Sequence, residues 1–275
     1  MFAVAIIAIV IVVAIIGPAV APSGLEDTVP KFLAPPSRAH WLGTDAIGHD
    51  EFSRLLFALR SSVFAAWLAV VLGVGGGLLV GLVSGYAGGR VDWALMRFID
   101  VMLAFPGLLL IIALIGILGT GLTNAMIALA VSFIPGFARL IRGQVLAVRE
   151  ELYVESAQVT GASAARIIRR HILPNVMAPF VVQVCLTMGL ALIAEGALGF
   201  LGLGAQPPQT SLGAMLQDGF GYVNVTPRLI LIPGLAITIV AVALNVVADG
   251  LRDSLGRTDR DLRRSDAVLL TAPKA

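Results

Sequence analysis

Between Asp100 and Arg139 the chain runs for 38 residues without a charge. One straight helix of that length would extend about 57 Å, nearly twice the roughly 30 Å hydrocarbon core of a bilayer. In lipid a backbone must satisfy its own polar groups, which leaves helices or closed barrels. The interval therefore predicts two membrane spans, divided at Gly119-Thr120-Gly121-Leu122-Thr123-Asn124. Pro106 and Pro135 fall near the ends that face the same side. Each reads equally as an opening or kink along a pore and as simple helix termination.

The same ruler divides the rest of the chain. Residues 1–25 are uncharged and predict a first span over 1–22. Ala19-Val20-Ala21 has the small-residue look of a signal-peptidase site. No basic stretch precedes it, however, and the apolar run is longer than a usual signal core, so a retained helix is the reading. Residues 61–89 predict the second span, 176–198 the fifth and 229–248 the sixth. Charged residues make up 13% of the chain against roughly 25% in soluble domains, with 58% hydrophobic. The fold class is all-α and polytopic, with six transmembrane helices.

Within that frame, Gly73, Gly77, Gly81, Gly85 and Gly89 recur every four residues and stack on one helical face. We read this stripe as packing within the subunit. Arg90 to Asp100 reads as a short interfacial turn with Trp93 at headgroup depth. Glu195, near the outer end of the fifth span, is costly in lipid and marks a functional candidate. Snorkelling to water and pairing with another subunit are the alternatives. Cys185 is the one cysteine, which excludes an internal disulfide.

Residues 23–60 are polar, Pro-rich and without strong periodicity, and are read as an extracytoplasmic loop. His40, His49, Asp45 and Asp50 share it, but their spacing suits an Asx-turn-rich loop and no metal site. Residues 150–175, EELYVESAQVTGASAARIIRRHILPN, form the longest charged interval between apolar runs. Arg166, Arg169 and Arg170 fall on one side of a helix, and Ile167, Ile168 and Ile172 towards the other. Gly161 permits a sharp turn between two short helices. Ser163 is placed to cap the second, and Pro174 marks the start of the next element. The segment reads as a helix–turn–helix outside the bilayer.

Here the residues resemble a known family. Glu155-Ser156-Ala157, three residues, Gly161, nine residues, then His171-Ile172-Leu173-Pro174 is similar to the cytoplasmic loop of binding-protein-dependent ABC importer permeases. Ser156 stands where Ala is usual, and the RHILPN form is similar to the dipeptide/oligopeptide/nickel branch. Three further segments resemble that branch. His40-Trp41-Leu42-Gly43-Thr44-Asp45-Ala46-Ile47-Gly48-His49-Asp50 departs from its pattern at Trp41 and His49. Asp100 to Pro106 matches its D-x-x-L-A-F-P. Residues 199–216, FLGLG…PP…SLGAML in outline, match except that Leu212 replaces Trp. The chain starts almost inside its first span, whereas this family usually opens with a short cytoplasmic arm.

The resemblance implies a type I importer transmembrane fold with a core permease domain over 61–255, a coupling loop at 150–175 and a cytoplasmic tail over 256–275. It implies a homologous second permease, two ATPase subunits inside and a substrate-binding protein outside, all on a bacterial inner membrane. Di- or oligopeptides or similar solutes are the implied cargo. Glu155, Ala157, Gly161, Arg166, Arg170 and Pro174 are the implied ATPase-coupling residues, and Asp100, Pro106 and Glu195 the pathway candidates. ATP and Mg belong to the partner subunits, and this chain is expected to hold no metal or cofactor.

Charge placement and missing motifs bear on the same reading. With an inside N-terminus, segments 85–100, 139–175 and 249–275 hold 14 Lys or Arg, against 5 on the other side. That split obeys the positive-inside rule, puts both termini in the cytoplasm and gives the basic residues no nucleic-acid role. A Walker A loop needs G-x-x-x-x-G-K-[ST], and neither Lys31 nor Lys274 sits in one. The chain is not expected to be an enzyme, and ATP hydrolysis would fall to partners. The rival class is an ion-coupled secondary transporter, which usually shows repeated halves. None stands out here. The tail from Arg252 to Ala275 reads as charged, polar and partly disordered.

Overall fold

The computed structural model describes residues 2–271, and side chains from 3 to 254. Ten α-helices follow one another: α1 Phe2–Val20, α2 Glu51–Ala87, α3 Gly89–Ala104, α4 Gly107–Leu118, α5 Leu122–Arg149, α6 Leu152–Val159, α7 Ala164–Ile167, α8 Leu173–Phe200, α9 Leu212–Phe220 and α10 Arg228–Thr271. A π-turn over Ile168–Ile172 joins α7 to α8. Five helices are long and apolar enough to cross a membrane, and the α3–α4 pair brings the count to six.

α2 and α5 are the central pair and they run parallel. Gly73 faces Ala130 and Phe133, and twelve residues on Gly85 faces Arg142 and Val145. Parallel neighbours require the intervening chain to recross the membrane. That return is made by α3 and α4 together, bent by 95° at Phe105-Pro106. Asp92, near the start of α3, meets Ser84 and Arg142 at one level. Asn124, at the start of α5, bonds the carbonyls that end α4, at 2.8 Å to Leu118 and 3.3 Å to Gly119.

Three boundaries differ from expectation. The loop expected to end at residue 60 ends at Asp50, whose carboxylate accepts from the Ser53 N–H and caps α2. At 37 residues α2 is about 56 Å long and overshoots the hydrocarbon. Glu51, Arg54 and Arg60 therefore belong to the helix although they are charged. The turn expected over 90–100 is helical and forms most of α3, set off by the left-handed pair Gly88 (φ 65°) and Gly89 (φ 54°). The first span of the 38-residue interval is no straight helix, since α4 has only 12 residues, about 18 Å.

The glycine stripe packs inside the subunit against α5, at Gly73, Gly77, Gly81 and Gly85. Gly89 is not part of it. α8 and α10 pack antiparallel, with Gly189 against Ala241 and Asn245 and Gly196 against Ile237. Phe137 of α5 meets Phe180 of α8 edge-on at 6.2 Å. Pro135 lies within a continuous α5, whereas Pro106 separates two helices. The backbone of α10 is helical through Thr271, where the expectation is a partly disordered tail from Arg252. The side chains of the expected tail beyond 254 lie outside the described residues.

Candidate coupling segment and pathway residues

Residues 151–175 fold as the spacing predicts, with one exception. α6 ends at Thr160, Gly161 turns the chain in the left-handed region at φ 81°, and α7 begins after Ser163. Ser163 adopts the backbone of an N-cap (φ −67°, ψ 150°), but its side chain makes no capping hydrogen bond. α8 starts at Leu173 with Pro174 in its first turn, as expected, and the π-turn joins it to α7 in one unbroken helical run from Ala164 to Phe200. Proline donates no N–H, and widening the turn to i−5 bonds just before it accommodates that loss.

Apolar side chains pin the segment to the membrane helices. Val154, Ile167 and Ile172 are fully buried in one cluster with Val145 and Val176. Tyr153 packs against His171 with ring centroids 6.0 Å apart. Asn175 donates to the Tyr153 hydroxyl at 3.2 Å and to the His171 carbonyl at 2.6 Å. Burial first, and the nearby Glu151 second, push the Tyr153 phenol above its ordinary value.

The opposite face is open. Glu155, Gly161, Arg166, Arg170 and Pro174 are exposed, and Ala157 is half-buried. Arg166, Arg169 and Arg170 line a cleft of about 610 Å³ with Ala165. Among the described residues, no side chain comes within 4 Å of a Cβ built on Gly161. Sequence reasoning missed Leu152 (78% exposed) and Val159 (84% exposed). They are seven apart on α6 and so share a face. The signal was a pair of large apolar residues at helical spacing inside a charged stretch.

The three pathway candidates do not cluster. Asp100 pairs with Arg139 at 2.5 Å, both side chains about half exposed. Pro106 sits at the 95° bend. Glu195 is far from both along the fold and is 0% exposed, so it does not snorkel. The hydroxyls of Ser62 and Ser211 face it. Neither meets its oxygens in good hydrogen-bond geometry. Both hydroxyls accept backbone N–H groups of the 212–214 turn, from Leu212 at 2.9 Å and Ala214 at 3.2 Å. Glu195 thus lies where α8 meets α2 and α9.

The family described as the inner membrane component of binding-protein-dependent transport systems matches residues 77–259, from the middle of α2 into α10. The chain belongs to that family. The permease is 42% identical over 246 residues to the dipeptide transport system permease protein of Alkalihalophilus pseudofirmus, covering 89% of this chain and 81% of that one. It is 44% identical over 220 residues to the glutathione transport system permease protein of Pectobacterium atrosepticum, covering 80% and 73%. Among solved structures, the permease superposes on a chain of an amino acid ABC transporter with a TM-score of 0.54 at 18% identity, covering 74% of this chain and 94% of that one. The inward-facing MetNI methionine ABC transporter gives 0.53 at 16% identity, covering 72% and 96%. The fold is that of type I ABC importer transmembrane domains. The permease is a multi-pass translocation-pathway subunit.

Proposed function

We propose that this permease forms half of an ATP-driven import pathway for di- or oligopeptides or a similar solute such as glutathione. A homologous permease supplies the other half, two ATPase subunits dock inside, and an extracytoplasmic binding protein delivers the solute. The reading takes its solute class from the relatives' names and its orientation from the positive-inside count.

The carrying observation is the two-faced segment 151–175. Its inner face is locked to α5 and α8 through Val154, Ile167 and Ile172. Its outer face offers an unobstructed Gly161, the apolar pair Leu152 and Val159, and three arginines that make no ion pair among the described residues. Outside lipid, an exposed apolar pair beside free positive charge suits a protein partner with an apolar and acidic groove. An ATPase that shifts this face moves Arg166. The helical run from Ala164 to Phe200 carries the motion about 44 Å from Arg166 to Glu195. ATP and Mg stay in the partner; Glu155, Ala157, Gly161, Arg166, Arg170 and Pro174 transmit.

The test uses Gly161→Asp and Gly161→Asn in the assembled transporter. Both replacements tolerate the left-handed backbone better than other residues, so the permease should insert and fold. Loss of ATP-driven uptake in both would place a partner against Gly161. Wild-type uptake in both, at normal membrane levels, would sink the coupling role.

A further inference from the structure

A partly open cavity lies at the end of α2 opposite Gly85, unrelated to the coupling segment. It is a cavity of about 230 Å³ between the 45–47 turn, the first turns of α2, and helices α9 and α10. That is room for several waters at about 30 Å³ each. Asp45, Glu51, Arg54 and Asp218 supply its charges, and Met215 and Leu229 are among its apolar lining.

The charges do not balance. Arg54 is already spent on two carboxylates, Asp45 at 2.5 Å and Asp218 at 2.7 Å. Arg228, whose field also reaches Glu51, turns its guanidinium to the carbonyls of Ala34 at 2.6 Å and Thr44 at 3.1 Å. Glu51 is left over. It is 2% exposed and lines the cavity; Arg54 first and Arg228 second act on it through space, but among the described residues its carboxylate makes no hydrogen bond or close ion pair. A buried carboxylate beside an open space demands a counter-charge or a donor. Among the described residues no three His, Cys, Asp or Glu side chains are grouped to hold a metal ion. The apolar lining suits a methylene stem, with the charged head against the carboxylates. Asp218, 54% exposed, stands at the mouth.

We propose that this cavity binds one organic cation, a primary ammonium or guanidinium on a short aliphatic stem, with Glu51 as its counter-charge. The group is carried either by a free solute or by a side chain of a docking protein. The site stands independently of the coupling segment, and neither uptake nor ATP turnover enters its test.

Met215 is one of seven methionines, and its methyl reports from the cavity wall. The full permease, ¹³C-methyl-labelled at methionine in lipid nanodiscs, is titrated with n-butylammonium or sodium chloride at constant ionic strength. The Met215 resonance, assigned by Met215→Leu, should shift saturably with n-butylammonium and not with sodium. Glu51→Gln should weaken binding about tenfold, the scale of one charge-assisted hydrogen bond, while Glu155→Gln leaves it unchanged. Should Glu51→Gln fold poorly, Asp218→Asn at the exposed mouth gives the same reading. Tighter binding of n-butylammonium than of alanylalanine assigns the site to a protein side chain, and the reverse to a free solute's amino terminus. The proposal is overturned if neither amine moves Met215 saturably, or if a Glu51→Gln variant that melts like the parent binds n-butylammonium as tightly.

Discussion

Gly77 and Phe137 approach so closely that a methyl group on Gly77 would sit 2.3 Å from the Phe137 Cβ. That contact sets the distance between α2 and α5. Gly73, Gly81 and Gly85 repeat it, each leaving 2.8 Å or less to the neighbouring helix. Most of the opposing atoms are backbone or Cβ, which cannot swing away. Gly77→Ala should force the helices apart and cost about 1–3 kcal/mol. Gly75, with nothing within 4 Å, is the control. Gly75→Ala should be neutral or up to about 1 kcal/mol stabilising through helix propensity. Thermal unfolding in nanodiscs separates the two, and equal melting would refute the seam.

Gly161 is demanded by conformation and not by space, since φ is 81° and no neighbour among the described residues lies within 4 Å. Gly161→Val should destabilise the 151–175 segment by about 1–2 kcal/mol, and Gly161→Asn by less. Hydrogen exchange over α6 and α7 would register the difference; similar protection in both variants would argue that the turn is not rigidly left-handed.

The Ser62 hydroxyl is the acceptor for the buried Leu212 N–H at 2.9 Å, 150 residues away. Ser62→Ala orphans that N–H and should cost about 1–3 kcal/mol. Glu195→Gln keeps the volume of a fully buried side chain whose oxygens make no well-formed hydrogen bond, so it should be neutral or stabilising. The opposite signs are checked by denaturant titration. A strongly destabilising Glu195→Gln would mean the carboxylate makes a bond in the working state that is absent here.

Asp45 predicts an acid-sensitive loop. Burial raises its pKa, but Arg54, the His49 ring and the N–H groups of His49 and Ile47 outweigh it and hold the carboxyl below its ordinary value. A depressed folded pKa stabilises above the unfolded value of about 3.9 and is lost as pH falls through the folded one. The melting temperature of the parent should therefore drop steeply below about pH 4. Asp45→Asn should start lower at neutral pH and drop less. Parallel pH profiles would exclude Asp45 as the source.

Leu152→Ser and Val159→Ser remove exposed methyl groups and should change stability by no more than about 0.5 kcal/mol. Both should weaken retention of the ATPase during purification. Undiminished retention would remove the apolar pair from the partner surface.

Much of this permease is local in origin and therefore visible in one dimension. Helix formation in lipid is enforced residue by residue, because each peptide group must bond within its own segment. Uncharged intervals thus mark spans, and the Gly119–Asn124 turn divides two of them where read. A four-residue glycine period needs only helix geometry, and Gly161 needs only its own φ. What the sequence could not state is which surfaces meet. Charge served as the ruler for helix ends, so α2 seemed to start at 61 and α3 seemed a turn. Two of their charged residues are instead paired with distant partners: Arg54 with Asp218, 164 residues away, and Asp92 with Arg142, 50 away. The 95° bend at Pro106, the pairing of the glycine stripe with α5 and the enclosure of Glu195 by α2 and α9 depend on contacts between segments. Such contacts leave no periodicity in either segment alone, and only the packed tertiary structure decides them.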